Sequence, residues 1–170
     1  MHVFIIAAVS VDGFIACETT QISTSWTSKE DKKYFSERTK QAGVVVMGAT
    51  TYNTIGRPLP GRLNIVYTRG EFSISPEYKD QLRVTQLPPK ELITELTKEG
   101  FKEVAICGGS SIYTMFLKAG VVDTLYLTYE PVVFGHGVKL FNDNVESRLQ
   151  FKNLTKLSEE TLLIEYAVAK

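Results

Sequence analysis

The sequence predicts an α/β domain with a mostly parallel central sheet, helices on both faces and an antiparallel hairpin at the C-terminal end. Three observations carry this. Short apolar runs alternate with helix-like segments up to residue 120, strand-like runs follow one another directly after it, and two early strands stop at glycine and enter a helix at once.

MHVFIIAAV, residues 1–9, is apolar almost throughout, as a strand buried on both faces must be, and Asp12-Gly13 ends it with a turn. It belongs in mid-sheet. Residues 14–26 are rich in Thr and Ser, show no period and end at Trp26, the only tryptophan, which predicts a mobile loop. TSKEDKKYFSERTKQAG opens with a cap at Ser28 and closes at Gly43, a helix on which Asp31, Tyr34, Phe35 and Arg38 share a face. VVVM (44–47) is a second buried strand, followed by Gly48 and a short helix, ATTYNTI, that Gly56 and Pro58 terminate.

LNIVYT (63–68) is a third strand and RVTQL (83–87) a weaker fourth. PPKELITELTKEG starts a helix on proline, keeps Leu92, Ile93 and Leu96 in register and closes at Gly100. EVAIC (103–107) is another apolar strand, and GGSSIYTMFLKAG sets Ile112, Met115, Phe116 and Ala119 on one side of a helix. TLYLTYEPVV, FKNLTKL and TLLIEYAVA follow with no helical pattern between them.

Length and composition predict one domain over residues 1–170, since no linker, repeat or low-complexity tract divides the chain. Lys plus Arg and Asp plus Glu each number 19, so the charge is balanced, and that excludes a general nucleic-acid-binding role. No apolar run has the length of a bilayer span, so no membrane partner is expected. Cys17 and Cys107 form no CxxC, and the N-terminus lacks a signal-peptide pattern, which together predict a cytoplasmic location. His2 and His136 join no acid or cysteine cluster, so no metal is predicted. Nothing in the sequence specifies an oligomeric state.

Chemistry concentrates at a few positions. Strands of parallel α/β sheets bind ligands beyond their carboxyl ends, and a helix start there offers free N–H groups to phosphate, so Gly48 and Gly108-Gly109 form either a dinucleotide site or ordinary turns. No G-x-G-x-x-G is present, which excludes a Rossmann reading. Asp31 is either the fourth member of a capping box with Ser28 or a functional carboxylate, and its face with Tyr34 and Phe35 favours the second. In GRPLPGR, Pro58 and Pro60 stiffen the loop so that Arg62 projects from a fixed base. Arg62 suits bidentate capture of a carboxylate, and Arg57 reads as peripheral.

GRPLPGRLNIVYTR, with VVMGATTY before it and AICGGSSIYTMFL and LYLTYE after it, closely resembles the dihydrofolate reductase family in content, order and spacing. Trp26, Asp31 and Phe35 keep the family's Trp-x4-Asp-x3-Phe spacing. SVDGFIA and PVVFGHGVKLF look more like the broader superfamily that includes the riboflavin-pathway reductase domain, and Ser25-Trp26 stands where the family usually has Pro-Trp.

The resemblance implies NADPH-dependent reduction of the small molecule 7,8-dihydrofolate by hydride transfer to C6, with a proton delivered to N5 by water. Asp31, Thr128 and Tyr113 would form the catalytic set, Asp31 anchoring and polarising the pterin and Thr128 supporting it. Ile6, Ala7, Ala8, Phe35, Ile55 and Leu59 would wall the substrate, Cys107 would pack beside it, and Arg62 would hold the glutamate tail. NADPH would lie along Gly48, Thr50 and Thr51 and along Gly108, Gly109, Ser110, Ser111 and Ile112, with its nicotinamide near Ala8, Ile15 and Tyr113. Tyr67, Thr68 and Arg69 would meet its adenosine 2′-phosphate end, while Ala49 and Ser111 replace basic residues usual in the family. The loop 14–26 would close over the site. A riboflavin-pathway reductase of a ribosylaminopyrimidine is the rival reading, opposed by GRPLPGR and by the absence of a zinc-deaminase signature. A non-catalytic ligand-binding protein is the third.

Overall fold

The computed structural model describes residues 1–169. Strand β1 (His2–Ser10) lies between two later strands, β6 (Glu103–Ile106) and β7 (Thr124–Glu130), and pairs in parallel with both. β3 (Val44–Gly48), β4 (Leu63–Tyr67) and β5 (Leu82–Thr85) extend the sheet beyond β6 in parallel. On the other side β10 (Leu162–Val168) pairs antiparallel with β7, and β9 (Leu149–Lys156) pairs antiparallel with β10. The resulting eight-stranded order is β5-β4-β3-β6-β1-β7-β10-β9.

Alternation along β1 explains why its whole sequence is apolar. Val3, Ile5 and Ala7 face a core that includes Leu92 and Leu96 of α3 (Pro89–Lys98) and Ile112 and Phe116 of α4 (Ser110–Lys118). Phe4 and Ile6 face the opposite core, with Ala42 of α1 (Lys29–Ala42) and Tyr52 of α2 (Ala49–Ile55). Two helices therefore cover each face. The predicted fold class is the observed one.

Local differences from the sequence reading have local causes. The stretch 14–26 contains β2 (Phe14–Ala16), which pairs antiparallel with β8 (Val138–Lys139), and a 3₁₀ turn at Ser23–Ser25. Strands this short show no alternation to read. β7 ends at Glu130 and not at residue 133, because Pro131 has no N–H to continue a ladder. β9 starts two residues before Phe151, and all eight of its residues are exposed. The expected shared face of α1 divides: Tyr34 packs on Tyr126 with ring centroids 6.2 Å apart, and the Arg38 guanidinium lies 3.9 Å from the centre of the Phe4 ring. Arg38 also forms a two-pronged pair with Glu103 at 2.8 and 2.9 Å, which fastens α1 to β6.

Candidate active site

A cleft of about 1430 Å³ opens at the carboxyl ends of β1, β3 and β6, where parallel strands hand over to helices. Ile6, Ala7 and Ala8 form its floor. Gly48, Thr50 and Thr51 enter from one turn, Cys107, Gly108, Gly109, Ser110, Ser111, Ile112 and Tyr113 from another. Phe35, Ile55 and Leu59 line one end, and Tyr67, Thr68 and Arg69 the other. Ile15 and residues 21–24 of the loop also line it. Of the predicted site residues only Thr128 and Arg62 fall outside the lining.

Asp31 is buried and reaches the cleft from the first turn of α1. Burial raises its pKa above the usual carboxylate value, the Thr128 hydroxyl opposes this by donating to it, the Glu130 carboxylate raises it further, and Thr27 and Lys32 lower it. Thr128 thus acts through Asp31, from behind the cleft wall. The capping box forms by half: Ser28 Oγ accepts from the Asp31 backbone N–H at 3.1 Å. The reciprocal acceptor for the Ser28 N–H is Glu130 Oε1 at 2.8 Å, so the Asp31 side chain is left to the cleft. Thr27 and Glu130 carry no motif, and the sequence reading did not select them. An acidic residue ending an apolar strand was the one available signal for Glu130.

Arg62 is buried, with 7% of its surface exposed. Its Nε donates to Pro60 O at 3.1 Å, and its Nη1 donates to Thr39 Oγ1 and, at 3.5 Å, to Ser36 O. Nη2 makes no hydrogen bond among the described residues. Burial lowers its pKa from the usual guanidinium value, offset in part by Cys107 and by no carboxylate. The guanidinium is therefore fixed, with no ion pair among the described residues, and it is bonded to Pro60 of the cleft wall. Arg57, read from sequence as peripheral, lines the cleft, as does Lys32. Tyr113 is held at the floor by its hydroxyl, which donates to Ile6 O at 3.0 Å. Burial pushes the Cys107 thiol up to about 12, with Arg62 lowering it slightly.

At the other end, two glycine turns meet closely. Gly48 N–H donates to Gly108 O at 2.8 Å, and the Gly108-Gly109 peptide is cis. Gly108 has φ of 110°, and a Cβ there would sit 3.0 Å from the Tyr113 hydroxyl oxygen. A Cβ on Gly109 would lie 3.3 Å from Thr51 Oγ1, so a larger residue at either position would crowd a side chain of the cleft. Ser110, the first residue of α4, lines the cleft with a buried Oγ that has no hydrogen-bond partner among the described residues. A helix start leaves backbone N–H groups free as well.

The two sequence segments that depart from the reductase pattern are joined. Asp12 Oδ2 accepts from Gly135 N–H at 2.7 Å, and β2 pairs with β8. A Cβ on Gly137 would lie 2.2 Å from Ala16 O, so only glycine allows the approach. Trp26 packs edge-on against Phe134 with centroids 5.1 Å apart.

Comparison with known proteins places this arrangement. The family model for dihydrofolate reductase matches residues 2–146. The chain belongs to the dihydrofolate reductase family. Dihydrofolate reductase type 3 of Salmonella typhimurium is 32% identical over 129 residues, covering 76% of this chain and 72% of its own. The dihydrofolate reductase of Buchnera aphidicola subsp. Baizongia pistaciae is 29% identical over 162 residues, covering 95% and 91%. In three dimensions the family fold extends further. A pyrimidine reductase-like protein of Corynebacterium diphtheriae has a TM-score of 0.76 at 19% identity, over 99% of this chain and 92% of that one. A Thermotoga maritima diaminohydroxyphosphoribosylaminopyrimidine deaminase/5-amino-6-(5-phosphoribosylamino)uracil reductase gives 0.81 at 16% identity, over 99% of this chain and 56% of that one. Within this family's fold, the orphaned Ser110 Oγ and the close glycine turns fit the phosphates of a nicotinamide dinucleotide. Among the described residues no helix is long and apolar enough to cross a membrane, and no group of three His, Cys, Asp or Glu is placed to hold a metal.

Proposed function

We propose that this protein catalyses the NADPH-dependent reduction of 7,8-dihydrofolate to 5,6,7,8-tetrahydrofolate. The observation that supports it most is Arg62, a buried guanidinium with two of its nitrogens fixed by the protein and no carboxylate partner. An unpaired buried charge is costly, and the carboxylate of a glutamate tail is a planar partner of matching geometry. Asp31 supplies the opposite anchor, an acceptor pair for the adjacent donors on a pterin edge.

Ser110, Gly109, Thr51 and Arg69 would hold NADPH, which supplies the hydride for C6 when bound. The chain's own part is alignment and exclusion of water. Thr128 and Thr27 orient the Asp31 carboxylate, Phe35 and Leu59 bracket the substrate, and the Tyr113 ring fixes the floor against which the reacting carbon is pressed. Asp31 polarises the ring, and a water carries the proton to N5. Residues 21–24 cover the site as it reacts.

The joined segments around Asp12 and Gly137, and the fold likeness to pyrimidine reductases, favour a second reading, reduction of a ribosylaminopyrimidine. Nicotinamide absorbance decides between them when each substrate is mixed with purified protein and NADPH. Arg62→Leu should weaken dihydrofolate binding by about 2–5 kcal/mol and leave binding of a pterin without glutamate nearly unchanged. Equal losses for both ligands, or oxidation of NADPH by the ribosylaminopyrimidine alone, would overturn the folate reading.

A further inference from the structure

We infer that Glu130 is a positioning residue, which sets both the place of Asp31 and the electrostatic field at its carboxylate. The inference rests on the proposed role of Asp31 as the anchoring carboxylate. Glu130 ends β7 and is 2% exposed, and it forms no ion pair among the described residues. Three donors satisfy it instead. Ser28 gives its backbone N–H and its hydroxyl to Oε1, both at 2.8 Å, and Thr161 gives its hydroxyl to Oε2 at 3.1 Å.

The polarity of this network follows from the carboxylate, which when ionised accepts only. The one Ser28 hydroxyl proton must point to Glu130, so the Ser28 oxygen presents lone pairs to the Asp31 N–H at 3.1 Å. The cap that starts α1 is thereby fixed in one orientation. Side chains two apart on a strand share a face, so β7 carries Thr128 and Glu130 side by side. Thr128 grips the Asp31 carboxyl and Glu130 grips the cap beneath it. One strand holds the first turn of α1 at both points. Thr161, beyond Glu130, ties the same grip to the turn that leads into β10.

The charge of Glu130 matters separately from its contacts. The charged and titratable groups acting on or facing Asp31 are Glu130 on β7, Lys32 on α1 and Tyr113 on α4. Burial is the largest cause of the raised Asp31 pKa, and the Glu130 anion adds to it. Removing that anion lowers the pH at which Asp31 loses its proton. Substrate capture needs the Asp31 anion, so the acid limb of kcat/KM moves the same way.

Glu130→Gln tests this, because the amide keeps one acceptor for Ser28 and the Thr161 hydroxyl can rotate to accept from the other arm. Carbon-13 NMR of the labelled full chain, with the Asp31 carboxyl assigned through Asp31→Asn, follows the titration without substrate or cofactor. The expected result is an Asp31 midpoint at lower pH in Glu130→Gln, with the acid limb of the rate profile displaced equally. Glu130→Asp keeps the charge and shortens the reach, so its midpoint should return toward wild type while the KM for substrate rises. Should Glu130→Gln not fold, the Glu130→Asp pair of readouts stands alone. An unchanged midpoint in Glu130→Gln, or a Glu130→Asp protein with wild-type KM, overturns the inference. A displaced midpoint in a protein inactive on dihydrofolate would retain the inference and refute the folate reading.

Discussion

Under the proposed function, Asp31 is a compromise between stability and capture. Its folded pKa is raised above the ordinary carboxylate value by burial, so the folded protein binds the proton more tightly than the unfolded chain does. Folding stability from this group is greatest at low pH and is lost as pH rises from about the unfolded value through the folded one. Asp31→Asn removes a buried charge and leaves the Ser28 cap intact, because the cap uses the Asp31 backbone. The variant should therefore melt higher than wild type at pH 7 and show no such gain near pH 3, measured by thermal unfolding across that range. Its kcat/KM on dihydrofolate should fall by roughly a hundredfold, the worth of about 3 kcal/mol of charge-assisted hydrogen bonds. At this scale the place of Asp31 on the cleft and its contact with Thr128 were legible in sequence, and the parts of Thr27 and Glu130 were not. Thr27 acts on Asp31 from four residues away and carries no motif, whereas Glu130 acts through contacts that exist only once α1 and β7 are adjacent, 102 residues from Ser28.

At the scale of elements, the glycine turns and the stiff 56–62 loop could be read because glycine and proline state their backbone requirement locally. Arg69, just beyond β4, is exposed and lines the cleft, and no second basic residue stands at Ala49 or Ser111. Arg69→Ser should raise the KM for NADPH by about tenfold or more and leave that for NADH nearly unchanged, since one charge-assisted contact is worth roughly 1.5–3 kcal/mol. Steady-state kinetics with both cofactors checks it, and an equal response would move the adenosine away from β4. The pairing of β2 with β8 escaped the sequence because it is decided by Gly137, whose need for glycine comes from Ala16 O, a neighbour remote in the chain. The face of α1 was half legible: helical spacing groups Asp31 with Arg38, but Glu103 and the Phe4 ring draw Arg38 to the sheet.

For the molecule as a whole, fold class was readable because apolar runs alternate with helical segments early and follow one another late, whereas the exposed outer edge depends on what nothing in sequence marks. Native-state hydrogen exchange should find the slowest amides in β1, β3 and β6, whose residues are mostly buried, and the fastest strand amides in β9. Equal protection across the sheet would contradict that gradient. The central place of β1 also bears on how the chain is made. Its partners begin at Glu103 and Thr124, so the first strand to leave the ribosome waits longest for neighbours. Until Ile106 is made, HVFIIAAVS is an apolar ribbon with both edges open, and until Glu130 is made one edge still lacks its partner, the form of nascent chain that aggregates or is held by a chaperone. Slower translation between residues 10 and 130 should therefore lower yield in the cell even where the finished sheet is stable.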